Sequence, residues 1–210
     1  MDAEFRPSPL AMAVLSLLHA GPLHPYAMQR LIKEWGKDRV VNVGQRANLY
    51  KTIRRLQEAG LVAVLQTERD SRYPERTVYE LTGPGREAAT EWIADMIAVP
   101  RNEFPQFPAA LSFLMLLGPQ DAQRALEQRA ATLAGSLREV EASLEQFGGT
   151  LPRVTLIDDE YERAITAAEL AWLTGIIEDL RSGRLTWNYD MFAAVAQFLP
   201  DPDTDGQPPG

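Results

Sequence analysis

Residues 45–60 read QRANLYKTIRRLQEAG, and no other stretch restricts the fold as much. Leu49, Ile53 and Leu56 recur at i, i+4 and i+7, so they share one face of a helix. Gly60 follows as the stop, where a left-handed backbone is least costly. Ala47, Asn48, Lys51, Arg54 and Arg55 fall on the opposite face, with Tyr50 on the flank. From Gln45 to Leu56 there are four basic residues and no acid, in a chain of net charge −8. A small-faced helix bearing amides and cations fits the DNA major groove, which admits one helix. The same pattern alone also fits a surface helix with a solvated basic face, and its neighbours decide between the two.

The charge is divided unevenly. Residues 1–80 hold 12 Lys and Arg against 9 Asp and Glu, and the remainder 9 against 20. The first part can meet phosphate and the second should avoid it. Apolar residues make up 45% of the 210, enough for a real core in one large or two small domains. No apolar run is long enough for a membrane span. MDAEFRPSPL lacks the layout of a signal peptide, so a cytoplasmic location is expected. With no cysteine and only His19 and His24, neither a disulfide framework nor a metal cage is expected, and no cofactor is implied.

Along the chain, Ser8 and Pro9 predict a helix start. Leu10, Val14, Leu17 and Leu18 line one face of that helix, and Met12 and Leu15 line others. A helix apolar nearly all round needs cover on several sides, more than a small winged helix supplies, which points to a partner chain. Pro25 opens a second helix with Ala27, Met28, Leu31, Ile32 and Trp35 inward, and His24 before it reads as a cap or packing residue. Residues 61–68 and 77–81 read as strands joined by a charged loop that holds Arg69, Arg72 and Arg76. Three helices and such a hairpin make a winged helix-turn-helix. Thr82 caps a following helix with Ala89, Trp92, Ile93, Met96 and Ile97 inward.

The rest is read as helical. Leu126, Ala130, Leu133, Leu137, Val140, Leu144 and Phe147 step by alternating fours and threes, a heptad seam that favours a helix from another chain over one within its own. Residues 158–182 form a further helix with Tyr161, Ile165, Ala168, Trp172, Ile176 and Leu180 inward. Residues 188–199 suggest a short helix, and 200–210 a disordered tail.

The stretches GPLHPYAMQRL, NLYKTIRRLQEAGLV, RTVYELTGPGREA and AELAWLTGIIEDL together resemble the PadR family of bacterial transcriptional regulators, over roughly residues 8–183. The resemblance implies a homodimeric winged-helix repressor whose C-terminal helices exchange against the partner's first helix. By position, Tyr50 matches a family tyrosine that reaches the DNA backbone, and Arg54 and Arg55 match basic positions later in that helix. Ala47, Asn48 and Lys51 depart from the family's usual residues there, so the base preference should differ. Trp172 falls where some relatives place a tryptophan that stacks planar ligands; a core aromatic is the simpler reading.

No phosphate loop, zinc-protease helix or nucleophile elbow is present, and His19 is expected to be buried, so no catalytic residues and no enzyme are expected. The expected class is mainly α with a small β-hairpin wing. Residues 1–99 would form the DNA-binding winged helix, 100–199 the helical dimerisation and effector region. DNA contacts are expected from Gln45, Arg46, Asn48, Tyr50, Lys51, Arg54, Arg55, Arg69, Arg72 and Arg76. Dimer contacts are expected from Leu10, Val14, Leu17, Leu133, Leu137, Val140, Leu144 and Trp172. The expected partners are a double-stranded operator with an inverted repeat, a second copy of the chain, and an aromatic small-molecule effector held near Trp172. The alternative is a winged-helix module that binds protein or senses a ligand without direct operator binding; retention on heparin that falls with salt discriminates the two.

Overall fold

The computed structural model describes residues 7–68, 76–188, 190, 191 and 194. The expected tail and most of the expected helix over 188–199 lie outside them. The chain divides into two compact units, one up to Asn102 and one from Glu103.

In the first unit, α1 (Pro9–Ala20), α2 (Pro25–Glu34) and α3 (Arg46–Glu58) precede an antiparallel hairpin of β1 (Val62–Glu68) and β2 (Arg76–Leu81), followed by α4 (Gly83–Ala98). The Ser8 hydroxyl accepts from the Ala11 N–H at 3.2 Å, and His24 Nδ1 accepts from the Ala27 N–H at 3.0 Å. Each satisfies a donor that the first helical turn leaves unpaired.

The core gathers α1 with Met28 and Ile32 of α2, the apolar face of α3, and Val62, Leu81 and Ala89. This corrects the expectation for α1. Ala11, Val14, Leu15, Leu17 and Leu18 are buried by their own unit, so they do not require a partner. Their cover comes from the strands and α4 as well as from α2 and α3, because α1 runs through the middle of the unit. His19, expected buried, is exposed. Trp35 is also exposed, as are Ile93, Met96 and Ile97 of α4, whose apolar stripe is covered only at Ala89 and partly at Trp92.

The sequence Tyr79-Glu80-Leu81-Thr82 with Gly85 has a plain physical basis. The Thr82 hydroxyl donates to the carbonyls of Gly60 and Leu61 at 2.8 and 2.9 Å and accepts from the Gly85 N–H at 3.0 Å. One side chain therefore ties the turn after α3 to the start of α4. A Cβ on Gly85 would lie 2.0 Å from the Leu61 carbonyl oxygen, so no other residue fits. Gly60, at φ 72°, makes the left-handed turn that ends α3.

The second unit holds α5 (Gln106–Ser112), the long α6 (Pro119–Phe147) and α7 (Ile157–Arg181). α6 and α7 form an antiparallel pair: Arg181 binds Glu127 at 2.7 Å, and Ser143 donates to Asp159 at 3.2 Å. Here too the expectation is corrected. Leu126, Ala130 and Leu133 of the heptad seam pack with Leu173, Ile176, Ile177 and Leu180 of α7 in the same chain. Val140 is fully buried in the protomer, and Leu137 and Leu144 are half-buried. Of the stripe expected to face inward on α7, Ile176 and Leu180 do pack against α6, whereas Tyr161, Ile165 and Trp172 face outward at 67%, 51% and 44% exposure. A seam on α6 is satisfied equally well by a helix that folds back, and the loop before α7 lets it do so.

Candidate nucleic-acid interface

Leu49, Ile53 and Leu56 anchor α3 into the core at 1%, 1% and 0% exposure. With one face pinned, the remaining side chains are presented outward: Gln45, Arg46, Ala47, Asn48, Tyr50, Lys51, Arg54 and Arg55 are all exposed. The approach to α3 is held by a buried side chain that sequence reasoning missed. Gln29 of α2 donates from Nε2 to the Val43 carbonyl at 2.8 Å. Its only sequence signal is an amide on the inward side of an apolar helix.

Gln45 precedes α3 with an extended backbone and no side-chain cap bond. The first turn of α3 contains no acid. Its free N–H groups and dipole therefore favour an approaching anion. Asn48 Nδ2 lies 3.4 Å from Gln45 Oε1, a long contact that leaves the amide able to take another partner. The Arg46 guanidinium sits 6.0 Å from the Tyr26 ring centroid. Arg54 approaches Glu58 at 3.8 Å, with both side chains about two-thirds exposed. Such a surface pair is worth little. Sequence reasoning missed Glu58 as well, because it stands just past the acid-free run that ends at Leu56.

Between α3 and the base of the hairpin lies a cleft of about 410 Å³ lined by Ala47, Tyr50, Lys51, Arg54, Gln57 and Tyr79. Burial and, second, the neighbouring Tyr50 raise the pKa of the Tyr79 phenol. Of the expected wing residues, Arg69 and Arg72 lie outside the described residues. Arg76 pairs through its backbone opposite Glu68, and its side chain lies outside them.

Two further features bear on partners. Beside α1 and within the first unit, an apolar groove of about 1000 Å³ runs between Met12, Ala13, Ser16, Leu31, Trp35, Val40, Ile93 and Met96. In the second unit Trp172 meets Phe107 edge-on at 6.2 Å, while the Arg129 guanidinium lies 3.7 Å from the Phe107 ring centroid and binds Glu169 at 2.5 Å. Trp172 is thus neither a core aromatic nor isolated. No group of three or more potential metal ligands is found among the described residues, and none of their helices is long and apolar enough to cross a membrane.

None of the curated proteins matches the sequence. Solved structures do match. Bacillus subtilis PadR in complex with operator DNA superposes with a TM-score of 0.67 at 18% identity, covering 83% of this chain and 99% of that one. The same protein with p-coumaric acid gives 0.65 at 17%, covering 82% and 98%. The Vibrio cholerae virulence activator AphA gives 0.62 at 16%, covering 82% and 98%. At these identities the likeness establishes the fold: a winged helix followed by a helical C-terminal region. Residues 14–91 match the transcriptional regulator PadR-like family, from the middle of α1 through α3 and the hairpin into α4. The chain therefore carries, in residues 14–91, a domain of the transcriptional regulator PadR-like family.

Proposed function

We propose that this protein is a dimeric, sequence-specific DNA-binding repressor, relieved by a small aromatic effector. The observation that carries the DNA-binding reading is the outer face of α3, where Asn48, Tyr50, Lys51, Arg54 and Arg55 stand exposed on a helix pinned by three buried residues. Lys51, Arg54 and Arg55 neutralise phosphates, and Asn48 reads a base edge near the helix N-terminus. The wing arginines Arg69, Arg72 and Arg76 add backbone contacts. Two copies of α3 would meet an inverted repeat whose half-sites lie about one helical turn apart.

The dimer reading rests on apolar surface that each unit leaves uncovered: the groove beside α1 and the outer stripe of α7. Partner C-terminal helices lying against these surfaces would form an obligate interface above about 2,000 Å². For the effector, the support is the exposed pair of Trp172 and Phe107, with Arg129 and Glu169 beside them. The relative solved with p-coumaric acid makes aromatic acids the first class to try. Such a ligand relieves repression only if it binds the non-DNA-binding arrangement better.

The test is selection of duplexes from a random library, followed by titration of the selected duplex against salt. Several phosphate contacts give a steep negative slope of log affinity against log salt, each contributing roughly −0.9. A slope near zero defeats the DNA-binding reading, and unchanged affinity with saturating aromatic acids removes the effector alone.

A further inference from the structure

Tyr79 stands where the wing leaves the body of the first unit. In the hairpin it pairs with Val64, and the ladder slips by one residue immediately beyond that pair, between Val64 and Gln66. A bulge of this kind bends the strand and re-aims everything past it. On its other edge Tyr79 exchanges two backbone hydrogen bonds with Leu23, its N–H donating at 3.0 Å and its carbonyl accepting at 3.0 Å. Its backbone is therefore held from both sides, and the side chain has a fixed origin.

That side chain forms one wall of the cleft whose other walls come from α3: Ala47, Tyr50, Lys51, Arg54 and Gln57. Two cations, an amide and two phenols line it, and no acid does. A phenol keeps its proton at neutral pH without help, and burial moves the Tyr79 group further in that direction, so it is a donor. A cleft of donors and cations beside a helix that enters the major groove suits one thing on a duplex, a backbone phosphodiester.

We propose that Tyr79 is a phosphate contact: its hydroxyl, together with Tyr50 and Lys51, grips one backbone phosphodiester and so fixes the wing and α3 in one orientation on the DNA. The inference rests on the DNA-binding reading above and adds a residue that lies outside both α3 and the wing tip. It also gives the tyrosine two positions before Leu81 a role of its own, where Thr82 and Gly85 are accounted for by packing.

Tyr79→Phe keeps the ring and removes one neutral donor. On the duplex selected by the unmodified protein, the variant should bind about 10- to 100-fold more weakly, the effect of one neutral hydrogen bond lost in each protomer of the dimer. The loss should be equal on unselected duplexes, because phosphate contacts carry no sequence information. The salt slope should not change, because a neutral donor releases no counterion. The thermal midpoint of the variant should match that of the unmodified protein. Ethylation of the gripped phosphate should weaken both proteins, because Tyr50 and Lys51 still meet it in the variant, and should abolish the difference in affinity between them. Unchanged affinity in Tyr79→Phe overturns the inference, as does a loss confined to one base position or one that accompanies a lowered thermal midpoint. If the unmodified protein binds no duplex, the DNA-binding reading falls and this one with it; if it binds and Tyr79→Phe is indifferent, this one alone falls.

Discussion

The Gln29 side-chain amide donates a 2.8 Å hydrogen bond to the Val43 carbonyl, joining α2 to the segment that leads into α3. Both residues are buried, Val43 at 1% exposure and Gln29 at 9%. An acceptor buried this deeply costs free energy when its donor is removed, because water does not replace it. The bond therefore sets where α3 begins. Gln29→Ala should destabilise the first unit by about 1–3 kcal/mol, read by urea denaturation, and should weaken duplex binding more than that loss of folded protein explains. Unfolding indistinguishable from the unmodified protein would show that Val43 finds another partner.

On the proposed reading, the outer face of α3 would divide into positioning and reading. Arg54→Ala should lower the salt slope by about one unit for each phosphate it leaves unneutralised, at most two per dimer, while base preference stays the same. Asn48→Ala should do the reverse, relaxing preference at one position per half-site at a cost of about 1–3 kcal/mol in discrimination. Selection from randomised duplexes reads both. Equal weakening on all sequences by Asn48→Ala would make it a backbone contact.

In the proposed dimer, the uncovered stripe of α7 would separate dimerisation from folding. Ile165 is 51% exposed in the protomer, so a charge there leaves the α6–α7 core untouched. Burying an unpaired carboxylate against a partner costs several kcal/mol. Ile165→Glu should yield a folded monomer with unchanged helix content and sharply reduced operator binding, measured by light scattering and circular dichroism. A full-strength dimer would move the interface elsewhere.

Within the second unit, Leu173 is fully buried at the centre of the α6–α7 pair. Leu173→Ala should destabilise this unit by about 2–5 kcal/mol, the range for such truncations. Fluorescence of Trp172 and Trp187 should report the transition. A change below about 0.5 kcal/mol would mean that the pair repacks around the gap.

Acid should loosen the same pair. The hydrogen bond from Gln123, then that from Arg181, hold the Glu127 carboxyl below its ordinary value of 4.5. Arg153 does the same for Glu160 at the start of α7. A lowered folded pKa contributes stability that is full above the unfolded value and is lost as pH falls through the lowered one. Stability of the second unit should thus decline below about pH 4.5, by a modest amount because both carboxylates are solvent-screened. Arg181→Met should flatten part of that decline; an identical acid profile in the variant would exclude the pair as its source.

Local chemistry determined the elements themselves. Ser8, His24 and Thr82 cap the helices they precede, Gly60 ends α3, and the spacing of Leu49, Ile53 and Leu56 alone placed the basic face outward. These depend on residues a few positions apart, so the chain declares them without its fold. Tertiary structure decided which apolar faces meet. The periodicity of α6 says that a helix must lie against it and is silent on whose, and the return of α7 answers with Leu173 and Ile177. The same return turned Tyr161, Ile165 and Trp172 outward. The burial of Val14 and Leu17 and the bond from Gln29 to Val43 also join residues distant in sequence. Hydrophobic burial has no direction of its own, so periodicity specifies that a surface is covered, and only the packed chain specifies by what.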